Sequence, residues 1–95
     1  MQPGYQARWC SKGKADVLRR SSAVHGAMVL DSFNGIILVE PAGAALGDGV
    51  VLSPQEADLE LRPVWSLERK TKLVHARKLL GLTADSVERA ALAGR

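Results

Sequence analysis

Apolar positions along this chain change their spacing near residue 53. Before it they alternate with polar residues or come in short runs, and after it they recur every three to four residues. The first regime belongs to strands and the second to helices. In "YQARWC", Tyr5, Ala7 and Trp9 fall on one face of an extended segment. In "HGAMVLDSFNGIILVEP", two apolar runs, Ala27–Leu30 and Ile36–Val39, flank a turn centred on Asn34–Gly35. Asn and Gly adopt positive φ at low cost, which suits a tight hairpin between twisted strands. Ile36, Ile37 and Val39 are β-branched, and the unbroken "IILV" predicts a strand that is central or buried on both faces. Pro41 lacks an amide donor and ends it. Between these strands, "SKGK" reads as a turn, and Ala15–Val24 supports either a second hairpin or a short helix. The strand pattern on both sides favours the hairpin. Downstream, "AGAALGDG" is a small-residue loop that leads into a short strand, "VVLS".

Ser53 opens the helical half. "SPQE" sets a serine at the N-cap, proline at the first helical position and glutamate at the third, a capping box that satisfies amides left over at a helix start. Pro63 interrupts by clashing with the preceding turn, so this helix spans about Pro54 to Leu61. From Val64 to Leu80 a second helix is predicted, with Trp65, Leu73, Ala76 and Leu80 on one stripe. Gly81 suits a left-handed cap that lets Leu82 fold back. Thr83 caps a last helix, in whose first turn Asp85 favours the helix dipole and whose thin apolar face is Val87, Ala90 and Ala91. The predicted fold is α+β. A small antiparallel sheet of four or five strands from residues 4–52 packs against one layer of C-terminal helices from 54–93, within a single domain. A mostly helical domain carrying one hairpin is the runner-up.

Composition narrows the class without naming a task. Ninety-five residues, 46% apolar and 24% charged, suit one globular domain with one core. No apolar run reaches the roughly 20 residues that span a bilayer. The first residues, "MQPGYQARWCSKGK", lack the apolar stretch of a secretory signal, and Cys10 is the only cysteine. A cytoplasmic protein that does not engage membranes is expected.

Charge is more telling than its total of +3. Residues 1–30 hold five cations against Asp16, and residues 62–95 hold eight against Glu68, Asp85 and Glu88. Between them, residues 31–61 hold no cation and six anions: Asp31, Glu40, Asp48, Glu56, Asp58 and Glu60. Basic flanks around an acidic centre can pair within the fold, pair across an isologous dimer, or face different partners.

Catalytic chemistry is sparse. His25, His75 and Cys10 have neither metal-ligand spacing nor a visible acid–base partner, so no metal, no cofactor and no catalytic residue is assigned. Lys12 and Lys14 are expected to lower the Cys10 pKa and make the thiol open to labelling. The glycines of "PAGAALGDG" do not make a phosphate loop, because Asp48 stands where lysine is needed. "RRSS" at Arg19–Ser22 has the form of a basophilic kinase site.

The closing segment, "LLGLTADSV", resembles the core of the helix-turn-helix family: a leucine pair, glycine at the corner, an apolar residue after it, and Val87 six residues on. The resemblance implies that the last helix enters the DNA major groove. It departs from the family at Arg77, where a small residue is usual, and at Asp85 and Glu88, which would face phosphate. Cations gather instead on the preceding helix. Arg69, Lys70, Lys72, Arg77 and Lys78, with Arg89 beyond, are the candidate contacts to nucleic acid or to an acidic partner. The leading expectation is a small non-enzymatic interaction or regulatory protein that binds a protein partner or its own copy. A DNA-binding regulator is the alternative.

Overall fold

The computed structural model describes residues 4–62 and 70–82. Strand β1 (Tyr5–Cys10) runs through a short 3-10 turn, Lys12–Lys14, into helix α1 (Ala15–His25). Strands β2 (Met28–Asp31), β3 (Ile36–Pro41) and β4 (Val50–Leu52) follow, then helices α2 (Pro54–Leu61) and α3 (Lys70–Leu79). The four strands form one sheet in the order β2-β3-β1-β4, every neighbouring pair antiparallel. The α+β arrangement is therefore as the spacing of apolar residues predicts.

The strand order explains the one element read differently from sequence. Both β1 and β2 are antiparallel to β3, so they run the same way. Parallel strands in one sheet need a long crossover, and α1 supplies it. Ala15–Val24 is thus helical and not a hairpin. Its apolar signal is thin because the helix buries only Leu18 and Ser22. In the same way β3 and β4 run in parallel, and residues 42–49 cross past β1 without a helix.

The unbroken apolar run of β3 follows from cover on both faces. Ile36 and Leu38 join Cys10, Leu18 and Val29 beneath α1. Ile37 and Val39 join Ala7 and Leu30 against Ala57, Leu61, Leu73, Ala76 and Leu80 of the C-terminal helices and the turn after them. The expected single helical layer is corrected to two covers, α1 with the 42–49 crossing on one side and α2 with α3 on the other. Tyr5 and Trp9 pack on the second of these with Ala7, as their alternation predicts.

The β2–β3 hairpin has the expected position but a different reason for its glycine. The Ser32 amide donates to the Gly35 carbonyl at 2.9 Å, and the Gly35 amide donates to Ser32 Oγ at 3.0 Å. Neither Asn34 nor Gly35 has positive φ. A Cβ on Gly35 would instead lie 2.6 Å from the Cys10 carbonyl oxygen and 2.8 Å from the Trp9 ring. Close approach to β1, not backbone handedness, requires glycine there.

Both helix boundaries marked in the sequence are present. The Ser53 hydroxyl accepts from the Glu56 amide at 3.1 Å while the Glu56 carboxylate accepts from the Ser53 amide at 3.0 Å, closing the capping box. Ser53→Ala is expected to cost about 1 kcal/mol in urea denaturation, with Ser53→Asp retaining most of it. At the end of α3, Gly81 has φ 76°, and the amides of Gly81 and Leu82 donate to the Lys78 and Arg77 carbonyls. This double bond pattern stops the helix and lays Leu82 on the core. Residues 64–69 of the predicted helix, Trp65 among them, and the predicted helix after Thr83 lie outside the described residues. No described helix is long and apolar enough to cross a membrane.

Candidate functional site

The acidic centre meets the basic flanks inside the fold. Among the described residues, three ion pairs each join one anion of residues 31–61 to a cation from a flank: Arg8–Glu40, Arg19–Asp31 and Arg77–Asp58. Their environments differ, and so do their contributions.

Glu40 is fully buried on β3, on the α1 side of the sheet. Its Oε2 accepts from Arg8 Nε at 3.0 Å and from Gln6 Nε2 at 2.9 Å, while Oε1 accepts from the Leu46 amide at 2.8 Å. Burial alone pushes the carboxyl pKa up, but the hydrogen bonds from Gln6, Leu46 and Arg8 and the Arg8 charge together hold it below the usual range. Arg8 also donates through Nη1 to the Gly49 carbonyl at 2.8 Å. One ion pair therefore clips both ends of the 42–49 crossing to β1 and β3. Arg19–Asp31 is a surface pair at 3.0 Å, with side chains 46% and 39% exposed, and such pairs contribute little.

Arg77–Asp58 is buried and loose. Arg77 Nε stands 3.8 Å from Asp58 Oδ1, beyond hydrogen-bond reach. Burial pushes the Asp58 carboxyl up, and the Arg77 and Arg62 charges only partly offset it. Arg62 Nε and Nη2 are themselves buried with no hydrogen-bond partner. The α2–α3 interface thus holds a carboxylate and two guanidinium groups whose attraction has to offset their desolvation.

This pairing sorts the candidate contact residues. Arg77 is half-buried and turned toward α2, while Lys72 and Lys78 are exposed on the outer side of α3 with His75 between them. Lys70 begins the helix. Arg69 and Arg89 lie outside the described residues. The sequence of α3, "KTKLVHARKL", contains no acidic residue, and its buried positions are Leu73 and Ala76. Its outward face is accordingly basic.

A second feature has no local sequence signal. Between the start of α1 and the end of the 42–49 crossing lies a recess of about 320 Å³, beside the edge strand β4. Leu18 and Leu46 line it with Val17 and Val50, which are 58% and 64% exposed. Lys14 and Asp48 stand at its rim, both exposed. Residues thirty or more positions apart meet here only because β4 returns to pair with β1.

The remaining chemistry-bearing groups are scattered. His25 sits at the end of α1, its Nδ1 2.8 Å from the Ser21 carbonyl oxygen. Cys10 is 3% exposed, and desolvation pushes its thiol pKa up despite a hydrogen bond with the Gly49 backbone and the nearby Arg8 charge. The expected lowering by Lys12 and Lys14 is overturned, because burial dominates. No three His, Cys, Asp or Glu side chains gather among the described residues. No family model, no curated protein and no solved structure matches this chain.

Proposed function

We propose that this chain is a small non-enzymatic interaction module that docks an anionic partner on the outer face of α3. The observation that supports it is the disposition of charge. Asp31, Glu40 and Asp58 are drawn into ion pairs, and Glu56 is engaged at its own helix cap. The exposed side of α3 carries Lys72, His75 and Lys78 and no carboxylate. Surface of one sign attracts its opposite over about a Debye length, roughly 10 Å at 0.1 M salt, and raises the rate of encounter.

Internal pairing also removes the motive for an isologous dimer built on complementary charge, since the carboxylates such a dimer needs are already engaged. Light scattering should return a monomer at every salt concentration. A salt-sensitive dimer would restore the dimeric reading.

Binding to a mixed-sequence DNA duplex and to polyglutamate, titrated between about 50 mM and about 200 mM salt, tests the docking face. Affinity should fall steeply with salt for at least one probe. Lys72→Glu with Lys78→Glu should weaken it by at least about tenfold and reduce the salt slope by about two. Preference for the duplex would favour the DNA-binding alternative, with α3 following the phosphate backbone and not reading bases. Absence of binding to either probe at the lower salt would end the proposal.

A further inference from the structure

The surface opposite α3 holds apolar side chains in solvent, a recess and an open strand edge within a few residues of one another. Among the described residues β4 pairs only with β1, through Val50, Val51 and Leu52. Successive residues of a strand turn their amide and carbonyl to opposite sides, so at least one of these three presents both groups away from β1. Edge strands are commonly guarded by charge or proline. Here the strand is Val-Val-Leu, with Val50 64% and Val51 53% exposed. The recess opens beside this edge toward α1, where Val17 is 58% exposed.

Charge at the rim points to the end of the chain that fits. An extended segment added antiparallel to β4 finishes, at its C-terminus, near the start of β4, where the recess lies. Lys14 stands at that rim with exposed Lys12 two residues before it, against the single carboxylate of Asp48. The balance favours an anion, and a terminal carboxylate brings one without cost in side-chain entropy. Main-chain hydrogen bonds to a free edge supply affinity in such complexes, and a pocket for one side chain supplies selectivity.

We propose that the open edge of β4 and the adjoining recess take the C-terminus of an extended apolar peptide, which adds as a fifth strand, seats one side chain against Val17, Leu18 and Leu46, and sets its carboxylate by Lys14. The size agrees, since a space of about 320 Å³ lies at the small end of ligand sites and suits a side chain or two, not a cofactor. The site is separate from the α3 face and stands or falls independently of it.

The probe is a six-residue peptide ending in Thr-Val-Val with a free carboxylate, titrated into the isotopically labelled protein and followed by amide chemical shifts. Shifts should concentrate on residues 14–18 and 46–52 and leave α3 unmoved. Amidation of the peptide terminus and, separately, Lys14→Glu should each weaken binding by about tenfold, the loss of one charge-assisted contact. Val51→Lys should weaken it comparably by guarding the edge. Lys14 and Val51 are both exposed, so the variants should fold, and a retained amide spectrum checks this. Saturation at micromolar to millimolar concentration with this pattern supports the proposal. No shift, shifts elsewhere, equal binding of the amidated peptide, or a concentration-dependent dimer that already occupies β4 would each overturn it.

Discussion

Glu40→Ala should destabilise the protein by about 3–5 kcal/mol, the cost of removing one partner from a buried ion pair. Arg8 is only 13% exposed at its side chain, so its charge would stay largely out of water without a counter-ion. Gln6 and the Leu46 amide would lose their acceptor as well. Glu40→Gln retains the shape but not the charge and should fall between the two. Reversing the geometry by changing Arg8 alone to methionine should also be costly, because a fully buried carboxylate would remain with fewer donors.

The pH dependence of stability carries the same information with a definite sign. The Glu40 carboxyl pKa is lowered in the folded protein, so the unfolded chain binds its proton more readily. That contribution is fully present above the unfolded carboxylate range and is lost as pH falls through the lower, folded value. Asp58 has the opposite sign. Its pKa is raised by burial, so its ionisation weakens the fold as pH climbs from the usual aspartate range through the raised value. Urea midpoints measured across the acidic range should show a reduced acid loss for Glu40→Gln and a steeper one for Asp58→Asn. An unchanged acid limb in Glu40→Gln would remove the ion pair from its central place.

Gly49→Ala should be as damaging, by about 3 kcal/mol or more, through overlap alone. A Cβ at this position would lie 1.7 Å from the Trp9 carbonyl oxygen and 2.6 Å from its carbonyl carbon. Both are backbone atoms of β1, so no rotamer change relieves the contact. Cys10 Sγ, at 2.8 Å, closes another side. The chain would have to lift away from β1 just before β4, releasing the Arg8 bond to the Gly49 carbonyl. Gly13→Ala is the matched control, since nothing lies within 4 Å of the added carbon. It should change stability little or raise it slightly by restricting the unfolded chain. Thermal midpoints of the two variants check both statements, and a Gly49→Ala protein as stable as the parent would contradict the close packing of β4 on β1.

Local chemistry marks some of this architecture plainly. Ser53 and Glu56 announce the start of α2 because the capping box uses groups only three residues apart. Gly81 announces the end of α3 because the left-handed cap is a property of one residue and its neighbours. The β3 run is legible as a central strand because burial on two faces leaves no polar position until Glu40. In each case the determining interactions lie within one turn or one strand.

Other features depend on contacts distant in sequence, and these only the tertiary structure decided. Ala15–Val24 has too few apolar residues to show a helical period, and its helicity follows from the need to carry β1 across to a parallel β2. Glu40 looks like the end of an apolar run until Arg8, thirty-two residues earlier, meets it across the β1–β3 ladder. The net charges of the three sequence blocks were readable, but their pairing was not, because Coulomb attraction depends on folded distance and not on sequence order. Arg77 shows the consequence most directly. By sequence it is one more cation on a basic helix, and by structure it turns inward to Asp58, leaving Lys72 and Lys78 on the outer face.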